Sequence, residues 1–327
     1  MKIPVRFIEC LSERPSTEFN SPMVQESSLM KILRIIVALI LVLPWTGSVW
    51  GNDDPQTPSA GTSNPKPPDD PTTDDPTTDD SEGAPDARLA EMLRQAGIYE
   101  LKTDENPPRT LSLYPKPLMR FNNPVGGVPD GIVVMWMDGA RPAVLAQVFQ
   151  TSEQVWVHEM QSMAASPLVM HDRRSQRVPW QPREKGLKWH LLDDAEAPAS
   201  SKVVRRVQMR EISGTFSASD DFKRHAADVT TSRYQLRLLP RPLYRYPDNP
   251  GDVIDGAVFA FVHGTDPEVF VALEAIEQDG KRSWRYALAP MTCWAVQVQR
   301  KGVEVWSVPE RLGKSSRDVD YHVWVHK

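Results

Sequence analysis

The chain has 327 residues, 38 basic against 43 acidic side chains, a net charge of −5 and a hydrophobic fraction of 40%. That length buries a sizeable core, and near-neutral charge with no basic stripe interleaved with aromatics excludes electrostatic nucleic-acid binding. Its two cysteines, Cys10 and Cys293, leave no disulfide framework once the leader is removed.

Residues 1–51 read as a leader and export signal. Lys31 and Arg34 precede an apolar run from Ile35 to Trp45, then Thr46, Gly47 and Ser48, with Val49 and Gly51 placed for signal-peptidase cleavage. A spanning helix needs about 20 apolar residues, and this run breaks at Pro44, so cleavage and a periplasmic, envelope-associated or secreted product are expected. An uncleaved anchor is the alternative, and the segment would then be the only membrane contact. The polar stretch ahead of Met30 has no place in a signal peptide, which makes Met30 the expected start.

Residues 52–85 form an acidic linker of Pro, Thr, Ser and Asp that holds no large apolar residue and buries no core. From Asn52 to Asp86 there are ten acidic residues and one lysine, whereas Ala87 to Lys327 carries 32 basic against 29 acidic residues. The overall acidity therefore belongs to a self-repelling spacer. A calcium-responsive or O-glycosylated stalk is the sharper alternative, but no loop of EF-hand type is present.

The remainder is expected to be one unit built twice, 86–199 and 200–327. Leu111 to Pro142 recurs without a gap as Leu236 to Pro267, with 13 of 32 positions identical. In the first copy Asp86 caps a helix with Leu89, Met92, Leu93 and Ala96 at helical spacing and Gly97 as its stop. Strands at Ile132–Met137 and Ala143–Phe149 turn at Gly139; their counterparts, Ala257–Val262 and Val269–Ile276, turn at Gly264. Beyond a three-residue difference Trp156 aligns with Trp284 and Met163 with Met291. In the second copy Val203, Val207 and Met209 share one parity, which predicts a strand from Val203 to Ile212, and a short helix is expected after Ser219 with Phe222, Ala226 and Val229 on one side. Later strands are expected at Lys188–Leu192, Ala295–Gln299, Val303–Ser307 and Tyr321–Val325. The fold class is α+β, mainly antiparallel sheet, internally duplicated.

The strings LRLLPRPLYRY and DGAVFAFVHGTDPEVFVALEA, followed by WRYALAPMT, lie after Ser200. Through them the chain resembles a group of exported proteins from planctomycete bacteria. The resemblance implies export and an envelope setting; it brings no activity and no catalytic residue.

No histidine pair has zincin spacing, and Walker, dinucleotide and Cys-x-x-Cys motifs are missing, so neither metal nor cofactor is expected. Three constellations stand out. His263, Asp266 and Glu268 surround the second hairpin turn, where Gly-Thr-Asp-Pro is also ordinary turn chemistry. His322, Trp324 and His326 share one face of a strand, either a metal or sugar platform or, the plainer reading, a solvated outer face. Arg120 and Asp130 recur at the same spacing as Arg245 and Asp255, the mark of a structural ion pair. Eight indoles, from Trp136 to Trp324, offer stacking surfaces for sugar but lie mostly in apolar strands. The expectation is an exported, non-catalytic binding module for an envelope glycan or protein; the alternative is a hydrolase of envelope polymers with a cleft between the repeats.

Overall fold

The computed structural model describes residues 83–151, 153–222, 233–247, 253–311 and 316–326. The leader, the export signal, nearly all of the linker, and Ala226 and Val229 of the helix expected after Ser219 lie outside these residues.

The first repeat begins with helix α1 (Gly83–Ala96). Asp86 in its first turn and Arg94 in its last oppose the helix dipole favourably. Met92 and Ala96 are buried, and the Gly97 N–H bonds the Leu93 carbonyl at 3.0 Å where the helix ends. Nine strands follow: β1 (Tyr99–Thr103), β2 (Ser112–Leu113), β3 (Met119–Asn123), β4 (Val128–Asp138), β5 (Arg141–Gln150), β6 (Trp156–Ser162), β7 (Leu168–Asp172), β8 (Arg177–Trp180) and β9 (His190–Leu191). The second repeat has the same order: α2 (Lys202–Ser213), β10 (Phe216–Asp220), β11 (Tyr234–Leu238), β12 (Tyr244–Arg245), β13 (Val253–His263), β14 (Asp266–Gln278), β15 (Lys281–Pro290), β16 (Val296–Arg300), β17 (Val303–Val308) and β18 (Tyr321–His326).

Registers match copy for copy. Asp138 opposes Arg141 as His263 opposes Asp266, Gln150 opposes Trp156 as Ala275 opposes Trp284, and Met170 opposes Trp180 as Val298 opposes Trp306. Even a local irregularity recurs, at Trp136/Met137 in β4 and at Phe261/Val262 in β13. In the first copy the small ladder β1-β7-β8 is a separate three-stranded sheet, whereas the matching run β10-β16-β17 of the second copy is joined through β11 to its large sheet, making one nine-stranded sheet. The last strand of each copy leaves its own sheet. β9 pairs with β15 of the second repeat, and β18 pairs with β6 of the first.

Three cores result. One lies inside each repeat, between the large sheet, the small ladder and the helix; the third joins the two large sheets and draws Val133, Met135 and Phe149 together with Val258, Phe270 and Ala272. The central strands are therefore apolar on both faces: Ile132, Val134 and Trp136 of β4 point into the first repeat and Val133, Met135 and Met137 into the shared core. Gly131 and Gly256 permit the packing of Phe121 and Tyr246, since a Cβ would lie 2.5 Å and 2.6 Å from those rings.

The expected strand Val203–Ile212 is a helix. Its buried residues, Arg205, Gln208, Met209 and Ile212, follow helical spacing, while Val203 and Val207 are 70% and 50% exposed. Val203, Arg206, Val207 and Arg210, whose parity predicts a strand, form the outward face of the helix. Ser219 does not cap a helix; it lies within β10, paired with Gln297 of β16. Among the described residues no helix is long and apolar enough to cross a membrane.

Candidate functional site

The β4–β5 and β13–β14 hairpins turn through Gly139 and Gly264, whose φ values of +60° and +64° favour glycine. Because both large sheets face the shared core, each turn rests against the other repeat. The second turn is clipped to β3, with the Asn122 N–H donating to Thr265 Oγ1 and that hydroxyl donating to the Asn122 carbonyl, both at 2.9 Å. Asn123 Nδ2 donates to Asp266 Oδ2 at 3.0 Å, and Gln147 Nε2 to the Pro267 carbonyl at 2.5 Å.

An acidic cluster has formed there. One ligand atom each from Asp220 at the end of β10, His263 at the end of β13 and Glu268 in β14 lie within 4.8 Å of one another. Asp220 is 0% exposed, and Asp266 and Glu268 are buried beside it. Asp220 Oδ1 accepts the Phe222 N–H at 3.2 Å, but Asp220 Oδ2, His263 Nδ1 and Asp266 Oδ1 are buried with no hydrogen-bond partner among the described residues. Phe222 stands edge-on to the His263 ring at 5.0 Å and Tyr234 lies tilted against it at 5.4 Å. No Lys or Arg forms an ion pair with these four groups among the described residues; Arg233, the nearby cation that acts on Asp220, donates to Ser219. Burial therefore dominates their electrostatics: it raises the Asp220 and Asp266 carboxyls, and it raises Glu268 with help from the charges of Asp266 and Asp220. Desolvation lowers His263.

The equivalent place in the first repeat has the opposite chemistry. There Asp138 replaces His263 and Arg141 replaces Asp266. Arg141 Nη2 donates to both oxygens of Glu274 at 2.8 Å, and Arg285 holds the same carboxylate with bonds of 2.8 and 2.5 Å. Arg285 also covers the Trp189 ring at 4.6 Å. A cavity of about 310 Å³ opens beside this network, but both its carboxylates are occupied, Glu274 by two guanidiniums and Asp138 by Arg109.

A second feature lies on the outer side of the second repeat. Arg206 and Arg210 of α2, with Arg241 from the Pro240-Arg241-Pro242 bend, line a groove of about 630 Å³ floored by Met209, Ala257 and Phe259. These three arginines form no ion pair among the described residues, whereas Arg245 at the groove's inner end is bonded to Asp255 and to the Lys202 carbonyl. In α1 the matching positions are Leu89 and Leu93, partly buried against the first repeat's core.

The recurring ion pairs are tethers. Arg120 binds Asp130 at 2.6 and 2.5 Å and Arg245 binds Asp255 at 3.2 and 2.6 Å. A helical arginine completes each, Arg88 of α1 on Asp130 and Arg205 of α2 on Asp255, both at 3.0 Å. The strand carrying His322, Trp324 and His326 is not a solvated face. His322 is 7% exposed, Trp324 packs against the first repeat's core, and His326 meets His158 edge-on at 4.9 Å and Arg174 at 3.2 Å. None of the eight indoles is an exposed platform; Trp136, Trp180, Trp284 and Trp294 are buried and the others partly buried.

Asp220 and the groove arginines are not marked by the sequence pattern, because the first comes from a separate strand and two of the others sit on α2, where residue parity predicts a strand. The available signal was the ungapped match of Arg88, Met92 and Gly97 to Arg205, Met209 and Gly214, which aligns the helices and sets Arg206 and Arg210 against leucines. No family model, curated protein or solved structure matches the chain.

Proposed function

We propose that the protein is an exported, non-catalytic binding module for an anionic glycan of the cell envelope, held in the α2 groove. One observation carries this reading: Arg206, Arg210 and Arg241 line a single groove and have no carboxylate partner among the described residues. Like charges at i and i+4 oppose helix formation by a few tenths of a kcal/mol, so this face gives up stability that an anionic ligand restores. Arginine suits carboxylate and phosphate through its planar fork of donors, and the prolines and exposed valines nearby provide apolar surface for sugar faces. A hydrolase needs accessible carboxylates, as a pair or beside a histidine; the inter-repeat cavity has its carboxylates engaged by arginine, and those next to His263 are buried.

The test is binding of the full chain to an acidic polysaccharide, polygalacturonate, with neutral dextran as control. Binding should weaken with added salt, and an Arg206→Glu/Arg210→Glu/Arg241→Glu variant should lose at least about tenfold in affinity at unchanged melting temperature, since the three side chains are exposed. Equal binding by the variant, binding confined to anionic vesicles, or release of reducing ends from the polysaccharide would each reject the proposal.

A further inference from the structure

We infer that Asp220, His263 and Glu268 form a binding site for one divalent transition-metal ion, with Asp266 beside them. Three side chains from three strands bring ligand atoms within 4.8 Å of one another. Proximity of acids alone says little, because acidic residues cluster in many proteins without binding anything. The open atoms say more. Asp220 is wholly buried yet its Oδ2 has no partner, and His263, whose Nδ1 is also buried and unpartnered, belongs to the same group. Buried polar atoms are nearly always satisfied, and an exception needs a reason.

The comparison between repeats supplies one. At the first hairpin the positive charge is covalent: Arg141 and Arg285 neutralise the fully buried Glu274. At the second hairpin the arginine position is occupied by Asp266, and the positions of Thr103 and Ala143 are occupied by Asp220 and Glu268. The second repeat has thus gained three carboxyls at this spot, exchanged the carboxyl of Asp138 for an imidazole and lost the guanidinium. Two carboxylates and a neutral imidazole around a dication form a charge-balanced set, which removes the cost of isolated buried charges.

The ligand types select the ion. Calcium takes six to eight oxygens and magnesium keeps a shell of water, while an imidazole nitrogen with carboxylates suits zinc, manganese or ferrous iron. His263 is the only one of the three partly open to solvent, so the ion enters on its side. Because Asp266 and Pro267 are bonded to Asn123 and Gln147 of the first repeat, the ion would stiffen the junction between the two copies.

The test uses the full chain stripped with chelator and then loaded with Zn²⁺ or Mn²⁺, reading metal per chain by elemental analysis and melting temperature by calorimetry. Expected are one ion per chain and a rise of about 5–10 °C at roughly 100-fold excess over Kd, reversed by chelator. An Asp220→Asn/His263→Gln variant should lose both responses, while a His171→Gln control and the triple arginine variant keep them. Asp220→Asn keeps the shape and removes a buried charge, so the stripped variant should melt no lower than the stripped parent; should the double variant misfold, Glu268→Gln alone reads the same loss. No uptake by the stripped protein, uptake unchanged in the variants, or uptake of Ca²⁺ in preference to Zn²⁺ and Mn²⁺ would overturn the site.

Discussion

Asp255 shows how much burial changes the worth of one ion pair. Its side chain is 2% exposed and held by Arg205 and Arg245, whereas Asp130 has a partner in Arg88 that is 58% exposed. Removing the carboxylate from the buried Arg205 and the partly buried Arg245 strands their charge, so Asp255→Ala should cost about 3–5 kcal/mol and Asp130→Ala about 1–2 kcal/mol, measured by urea unfolding. Equal losses would mean that the second tether gains nothing from its burial. The strand members of both tethers were visible in the sequence because the repeat conserves their spacing between copies. The helical members were not, since they depend on how each helix packs. His322 offers a pH test at the same scale. Burial lowers its imidazole to about 4, against about 6.5 in an unfolded chain. The unfolded state therefore takes up a proton first as pH falls, and stability present above about 6.5 is lost progressively toward 4, up to about 3 kcal/mol from this group. A His322→Gln variant should show a flatter melting temperature between pH 6.5 and 4.5; parallel profiles for variant and parent would remove His322 from the acid response.

At the level of elements, α2 marks where periodicity misleads. A strand would bury Val207 and Met209 together; the helix buries Met209 to 1% and leaves Val207 half exposed. Met209→Ala should therefore cost about 2–5 kcal/mol and Val207→Ala less than about 0.5 kcal/mol, and comparable losses at both positions in thermal unfolding would contradict the helix. The hairpins were legible because Gly139 and Gly264 sit between long apolar runs, a pattern that local turn chemistry fixes. Strand β18 was legible as a strand but not in its placement. Tyr321 and Val323 enter the shared core while His322 and Trp324 face the first repeat, so alternation of aromatic and polar side chains did not mean one wet face. The acidic cluster was half legible for the same reason: His263, Asp266 and Glu268 are neighbours in the chain, and Asp220 reaches them only through the pairing of β10 with β11 and β16.

For the whole molecule the exchange of terminal strands decides whether the duplicated unit is also an independent one. The two halves of the trade are unequal. β18 lines all six of its residues along β6, from Tyr321 opposite Gln161 to His326 opposite Trp156, while β9 contributes only His190 and Leu191 to β15. A first repeat without β18 exposes the edge of β6 and one apolar face of its large sheet, a combination that favours aggregation. A second repeat without β9 keeps most of its sheet but bares Val258, Phe270 and Ala272 of the shared core. Chains cut between Glu196 and Ser200, in the segment before α2, should consequently behave differently alone and together. The first fragment should be insoluble or unfolded, the second soluble but loosely packed, and co-expression should yield a one-to-one complex that melts near the intact chain. Size-exclusion chromatography and near-ultraviolet circular dichroism of each fragment and of the pair provide the measurement. A first fragment that is monomeric and melts cooperatively by itself would show that β18 decorates a finished domain; failure of the pair to associate would show that the shared core is too weak to hold the repeats without the covalent link.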